Sequence, residues 1–181
     1  MFKSIYSFIS LALASFMLAS CSTGVPKNIT PVTGFDAEAY LGTWYEIARL
    51  DHRFERGLQN VTANYAMRDD GGIRVLNRGY NTKHSEWETA EGKAYFVGND
   101  KTGHLKVSFF GPFYGSYVVF DLAEDYSRSY VSGPNKDYLW FLSRTPDVPK
   151  AEKDRFKTTA SALGYDTDSL IWVDHSKRLE K

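Results

Sequence analysis

The sequence predicts an all-β protein: an eight-stranded antiparallel up-and-down β-barrel with one C-terminal α-helix and a short ninth strand. Three observations carry that prediction. From Gly42 onwards, short runs rich in β-branched and aromatic residues alternate with turn signals at regular intervals. No helix of useful length fits between any two of the runs, so the connections join antiparallel neighbours. Helical spacing appears only once, after the eighth run. Closing eight strands on themselves removes exposed sheet edges, and a barrel of that size is just wide enough to hold one small ligand.

The eight runs are Thr43–Leu50, Asn60–Arg68, Ile73–Tyr80, Trp87–Val97, His104–Phe110, Ser116–Leu122, Arg128–Gly133 and Tyr138–Arg144. Asp69-Asp70-Gly71-Gly72 and Asn99-Asp100-Lys101-Thr102-Gly103 read as hairpin connections, because Gly and Asn accept the positive φ such turns need. Thr145-Pro146-Asp147 ends the sheet. Phe156, Ala160 and Leu163 then share one helical face, with Pro149 suited to the first turn and Gly164 to the left-handed position after the end. A last β-like run, Leu170–Val173, pairs at an edge.

The chain order also sorts the loops. The first, third, fifth and seventh connections, Asp51–Gln59, Asn81–Glu86, Gly111–Gly115 and Pro134–Asp137, share one end. They are longer and more varied than the Gly-rich turns at the other end, and such loops usually carry function. Trp44 and Arg144 fall at the tight end.

Ahead of the barrel, residues 1–20 have the layout of a secretory signal. Lys3 supplies the positive charge, Ile5 to Leu18 is apolar apart from three serines, and Leu18-Ala19-Ser20 is a small-residue cleavage site. The stretch is too short for a spanning helix, which needs about 20 apolar residues. Cleavage leaves about 160 residues, the size of one domain. Residues 21–33 are polar, with Pro26 and Pro31 and no periodicity, and read as a flexible tether of roughly 40 Å at about 3.3 Å per residue. Residues 34–181 form the domain.

Composition narrows the function. There are 22 Lys and Arg against 22 Asp and Glu, so no global field directs the protein to nucleic acid. Twelve Phe, 12 Tyr and 4 Trp supply a core or an apolar cavity. Cys21 is the sole cysteine, which excludes an internal disulfide. The four histidines, at 52, 84, 104 and 175, lack metal-ligand spacing, and no hydrolase elbow or phosphate loop is present. Neither a metal nor a cofactor is expected, and no residue is assigned a catalytic role.

Particular motifs connect the chain to a known family. Leu18-Ala19-Ser20-Cys21 resembles the lipobox of bacterial lipoproteins, which implies that Cys21 is lipidated. Ser22 stands where the inner-membrane retention signal would usually have Asp, which favours the outer membrane, facing the periplasm. Gly42-Thr43-Trp44-Tyr45 resembles the G-x-W signature of the lipocalins, Asp125-Tyr126 their second signature, and Arg144 the Arg of their third. Gly42–Arg49 with His52–Gly57, Val107–Phe113 and Asp137–Pro146 are similar to the bacterial lipocalins in particular. The resemblance implies a calyx for hydrophobic molecules, here fatty acids and phospholipids with lysophospholipids preferred, in envelope lipid storage or transport, and a homodimer.

The resemblance also implies that Arg144 packs across the Trp44 indole as the barrel floor, and that Trp140 and Tyr114 contact lipid. An aromatic body suits an acyl chain while its N–H or O–H meets a polar head. Val118 and Phe109 complete the expected ligand contacts. Phe109, Phe110, Phe113 and Tyr114 concentrate aromatic surface at the mouth, compatible with ligand entry or dimerisation. Strand alternation puts Phe109 and Phe110 on opposite faces, Trp44, Glu46 and Ala48 on one face, and Ser116, Val118 and Phe120 on another. Glu46 then becomes a buried carboxylate that must be paired or protonated. His52, Arg53, Arg56, Lys83, His84 and Lys136 read as a solvated mixed-charge rim. A module docking an envelope protein through the mouth, or a lipid hydrolase or isomerase, are the competing readings.

Overall fold

The structure, a computed structural model, describes residues 23–176. The signal segment and Cys21 lie outside the described residues. Eight strands run in chain order: β1 (Gly42–Arg49), β2 (Leu58–Met67), β3 (Ile73–Asn81), β4 (Glu86–Phe96), β5 (His104–Phe110), β6 (Phe113–Leu122), β7 (Arg128–Ser132) and β8 (Leu139–Ser143). Each pairs antiparallel with the next, and β8 returns to β1, so the sheet closes. β9 (Ile171–Trp172) adds to β1 through Ala48 and Arg49. This is the barrel the sequence predicts. The fifth connection is shorter than expected: Phe110 pairs with Phe113, leaving Gly111 and Pro112 as a two-residue turn.

The closed sheet separates two apolar clusters. Inside the barrel lie Trp44, Tyr65, Ile73, Val75, Leu105 and Leu142 among others. Outside, Ile47, Ala48, Val118, Tyr130, Leu139 and Phe141 receive Phe156 and Ala160 from α2 (Lys150–Ala162). The Phe156 ring lies 4.8 Å from Tyr130 and 5.1 Å from Phe141. Gly164, at φ +84°, ends α2 as its spacing indicates.

A four-residue helix, α1 (Ala37–Tyr40), precedes β1 and was not legible in the sequence. Asp36 starts it by accepting from the Glu38 amide. α1 sets the Tyr40 carbonyl to accept from Trp44 Nε1 at 2.8 Å. Arg144 lies over the same indole, its guanidinium carbon 3.9 Å from a ring centroid. Its nitrogens also donate to the carbonyls of Ala39, Thr43 and Tyr126. Stacking and three carbonyls thus seal the floor.

The expected free tether is corrected from Thr23 onwards. Ile29 is buried in the outer cluster. The Val32 amide donates to the Val119 carbonyl, and the Val32 carbonyl accepts from Gly103 N, both at 2.9 Å. Thr33 bridges to Thr102, and the Thr23 carbonyl lies 2.9 Å from His104 Nε2. Two apolar anchors in a polar stretch are enough to dock it. Gly103 admits the close approach, since a Cβ there would fall 2.8 Å from Val32 Cγ2.

A bulge corrects the face assigned to β1. The β1–β8 register shifts between Glu46, opposite Leu142, and Ala48, opposite Phe141. Ile47 and Ala48 therefore both join the outer cluster, and Arg49 turns back into the barrel beside Glu46.

Candidate functional site: a barrel cavity with a polar latch

The barrel interior above the floor holds a cavity of about 100 Å³, within about 750 Å³ of empty space that includes open solvent. Val61, Ala63, Ile73, Val75, Ala94, Leu105 and Val107 give it an apolar wall. Strand alternation puts them there: Ala94 faces Val107 across β4 and β5, and Ile73 faces Ala94 across β3 and β4.

Asn77 and two polar clusters interrupt this wall. Deep in the barrel, Tyr117 Oη lies 2.8 Å from Tyr40 Oη and 3.0 Å from Tyr65 Oη, and Tyr40 also reaches Ser129 Oγ at 3.0 Å. Burial pushes the Tyr40 hydroxyl up to about 12 and holds Tyr65 and Tyr117 well above the ordinary tyrosine range, so the trio is neutral.

The second group forms where the first loop folds over the mouth. Arg49, 1% exposed, donates from Nη1 to Glu46 Oε1 at 2.7 Å. Its Nη2 donates to the carbonyls of Glu55 and Leu58 at 2.8 and 3.0 Å, which fixes the loop against the barrel. Glu55 turns inward and accepts from Trp140 Nε1 at 3.0 Å, while His52 Nε2 lies 2.9 Å from the same carboxylate. The His52 ring meets Trp140 edge-on at 5.3 Å. Glu55 and Trp140 both line the cavity, so this latch forms its mouthward wall.

One guanidinium faces two carboxylates here, and burying both as anions is costly. Burial, with the Glu55 charge adding to it, raises the Glu46 carboxyl well above its ordinary value of 4.5 despite Arg49. Burial also opposes ionisation of Glu55, but His52, Trp140 and Arg49 outweigh it and hold that carboxyl below its ordinary range. A raised folded-state value means the folded protein holds the Glu46 proton more tightly than the unfolded chain does. Stability from Glu46 is therefore present at low pH and falls as pH rises from 4.5 through the raised value. Glu55 acts in the opposite sense, its contribution lost as pH falls through its lowered value. Glu46→Gln fixes the uncharged form, so its stability relative to wild type should grow as pH rises from mildly acidic to mildly alkaline. Thermal denaturation at several pH values checks this, and identical pH responses of the two proteins would contradict it.

The structure brings two of the four expected ligand contacts into the cavity, Trp140 and Phe109. Tyr114 is corrected to the outer face, where its ring lies 6.4 Å from Tyr95 and 5.2 Å from the Lys106 ammonium. The register explains this: Gly115 pairs with Val107 and takes the inward position, so Tyr114 and Ser116 turn outward. Val118 faces outward by the same alternation and packs in the helix-side cluster. The inward residue on this strand is Tyr117, which anchoring the alternation on Leu105 and Val107 would have found.

The rim is also redrawn. His52 is 7% exposed and belongs to the latch, whereas Arg56 pairs with Asp51 at 2.7 Å in solvent. The Lys136 ammonium lies over the Tyr165 ring at 4.1 Å. Arg53, Lys83 and His84 are exposed. His84, Glu86 and Glu88 converge within 4.8 Å at the start of β4, but all three side chains are exposed and Glu88 already accepts from Asn81 Nδ2.

Comparison with known proteins agrees with the geometry. The lipocalin-like domain profile matches residues 35–175, which span floor, barrel, helix and β9. The chain belongs to the lipocalin family. This lipocalin is a binding protein for small hydrophobic ligands, and the barrel cavity is the site that such binding would use. It is 57% identical to the outer membrane lipoprotein Blc of Vibrio cholerae over 91% of this chain and 96% of that one. Against the outer membrane lipoprotein Blc of Escherichia coli the identity is 51%, covering 91% and 94%. Among solved structures, insecticyanin from the tobacco hornworm superposes with a TM-score of 0.67 at 23% identity, covering 85% of this chain and 88% of that one, which is a likeness of fold.

Proposed function

We propose that this lipocalin is a lipid carrier of the bacterial outer membrane, anchored through a lipidated Cys21 and facing the periplasm. In this reading it holds the acyl chain of a fatty acid or lysophospholipid in its barrel, for storage or transport within the cell envelope. The observation that carries the proposal is the distribution of polarity in the cavity: an apolar wall, a neutral tyrosine trio at depth, and charge only at the mouthward latch. Such a cavity accepts a chain whose buried CH₂ groups are each worth about 0.8 kcal/mol. It also leaves the polar head at the open end. The names of the Vibrio and Escherichia relatives support the location, and the lipobox at Leu18–Cys21 supports the attachment.

Displacement of a fluorescent fatty acid tests this reading. Trp140→Ala removes a cavity wall and the Glu55 partner, and binding should weaken about tenfold, or about 1.4 kcal/mol. Arg56→Ala removes only a solvated rim pair and should leave binding unchanged. The reverse order would mean that head-group charge, not the acyl chain, dominates.

A further inference from the structure

The closed end of the cavity carries one more hydrogen-bond donor than the barrel uses. Tyr65, Tyr117, Tyr40 and Ser129 form, in that order, a chain of four hydroxyls joined by three contacts of 2.8 to 3.0 Å. Each hydroxyl owns one proton, and each contact consumes one. Whichever way the chain is oriented, one proton is left over. None of the four hydroxyls makes a further hydrogen bond among the described residues. A buried donor left unspent is costly.

The surplus donor faces the cavity. Tyr40, Tyr65 and Tyr117 all line it, whereas Ser129 is fully buried and does not. Tyr117 is only half-buried, and it pairs with the inward residue Leu105, so its remaining exposure is to the cavity. The Tyr40 ring lies 4.8 Å from Trp44, which places the trio on the barrel floor. Phenyl rings alone would close an apolar end as tightly.

The surroundings also select against charge. Burial holds all three phenols neutral, and the same burial disfavours a carboxylate or phosphate at that depth. Arg144, the cation felt at Tyr40, spends its donors on the carbonyls of the floor. A neutral oxygen accepts the surplus proton without bringing a charge.

We infer that the closed end of the barrel is a subsite for a hydroxyl or ketone oxygen at the far end of an acyl chain, which accepts the proton left over by the Tyr65–Tyr117–Tyr40–Ser129 chain. The inference rests on the proposed binding of an acyl chain in the barrel and names the chains it favours. With the head at the mouth, the terminal carbons are the ones that reach the trio. A plain methyl end leaves the donor unspent, and an oxygenated end satisfies it.

The test uses the full lipidated protein in detergent micelles and displacement of a fluorescent fatty acid by three probes. These are palmitic acid, ω-hydroxypalmitic acid, and α-hydroxypalmitic acid, whose hydroxyl lies beside the carboxyl. Each affinity is compared between wild type and the double variant Tyr65→Phe/Tyr117→Phe, so partitioning of a probe into the micelle cancels. The affinity for the ω-hydroxy probe relative to palmitic acid should fall about tenfold in the double variant, the order of one buried hydrogen bond. The same ratio for the α-hydroxy probe should not differ between the two proteins. An ω-hydroxy ratio that the variant leaves unchanged would overturn the subsite and leave acyl-chain binding standing. A fall shown by the α-hydroxy probe instead would mean that the head enters first, which overturns it too. If the double variant does not unfold cooperatively, wild type alone decides. A palmitic acid with an isotope-labelled ketone next to its terminal methyl should show, when bound, a carbonyl stretch below its value in hexadecane, and a stretch at that value would overturn the subsite. Failure of every probe to displace the fluorescent fatty acid from folded wild type would overturn the carrier reading and the subsite together.

Discussion

Arg49→Met should lower the stability of the domain by about 3–5 kcal/mol, since three acceptors lose their buried donor at about 1–3 kcal/mol each. For a domain of this size that is roughly 6–20 °C in Tm. The guanidinium is 1% exposed and touches three acceptors: the Glu46 carboxylate and the carbonyls of Glu55 and Leu58. Methionine matches much of its volume and satisfies none of them. Two carbonyls lose their donor at the base of the first loop, and Glu46 loses its only buried cation. Because Glu46 is driven toward its protonated form, the loss should be larger in mild alkali than in mild acid. Adding Glu46→Leu should recover much of the deficit by removing the stranded carboxyl. Denaturant unfolding of the two single variants and the double variant measures the coupling. A deficit below about 1 kcal/mol would mean that the latch is solvated in solution.

Ala94→Trp should abolish acyl-chain binding while leaving a folded barrel. Ala94 is 5% exposed and lines the cavity, opposite Val107 on one neighbouring strand and Ile73 on the other. An indole on this strand has nowhere to go but the cavity. Overpacking a core costs about 1–3 kcal/mol, which the barrel can bear because the cavity takes up part of the added ring. Fluorescent fatty-acid affinity should fall at least about 100-fold, or about 2.8 kcal/mol. The neighbouring Lys93→Trp faces outward and should bind as wild type does. Retained binding in Ala94→Trp, with cooperative unfolding, would place the lipid somewhere other than the barrel.

The barrel was legible because most strands show alternation over part of their length and the tight turns carry Gly, Asn or Asp. The floor was legible through Trp44 and Arg144, whose family signatures lie at one end by strand count alone. What escaped did so for identifiable reasons. A bulge between Glu46 and Ala48 breaks the alternation of β1, so no sequence pattern pairs Arg49 with Glu46, although burial alone requires Glu46 to have a partner or a proton. Phe113-Tyr114-Gly115-Ser116-Tyr117 offers two tyrosines of opposite parity, and only the register with β5 selects Tyr117 for the cavity. His52 and Glu55 sit in a loop crowded with Asp51, Arg53 and Arg56, where composition suggests a solvated rim. Their burial follows from Arg49 reaching the Glu55 carbonyl, a contact that no local pattern announces. The docked N-terminal segment was hidden in the same way: Ile29 and Val32 are two apolar residues in a Pro-containing polar stretch, below any periodicity.

The most direct test of the lipid-carrier account is to purify the protein from the envelope, extract it with organic solvent and identify what is released by mass spectrometry. The account predicts intact fatty acid or lysophospholipid in near-stoichiometric amount from wild type, and its loss from Ala94→Trp. Recovery of no lipid from wild type, together with no displacement of a fluorescent fatty acid, would contradict it.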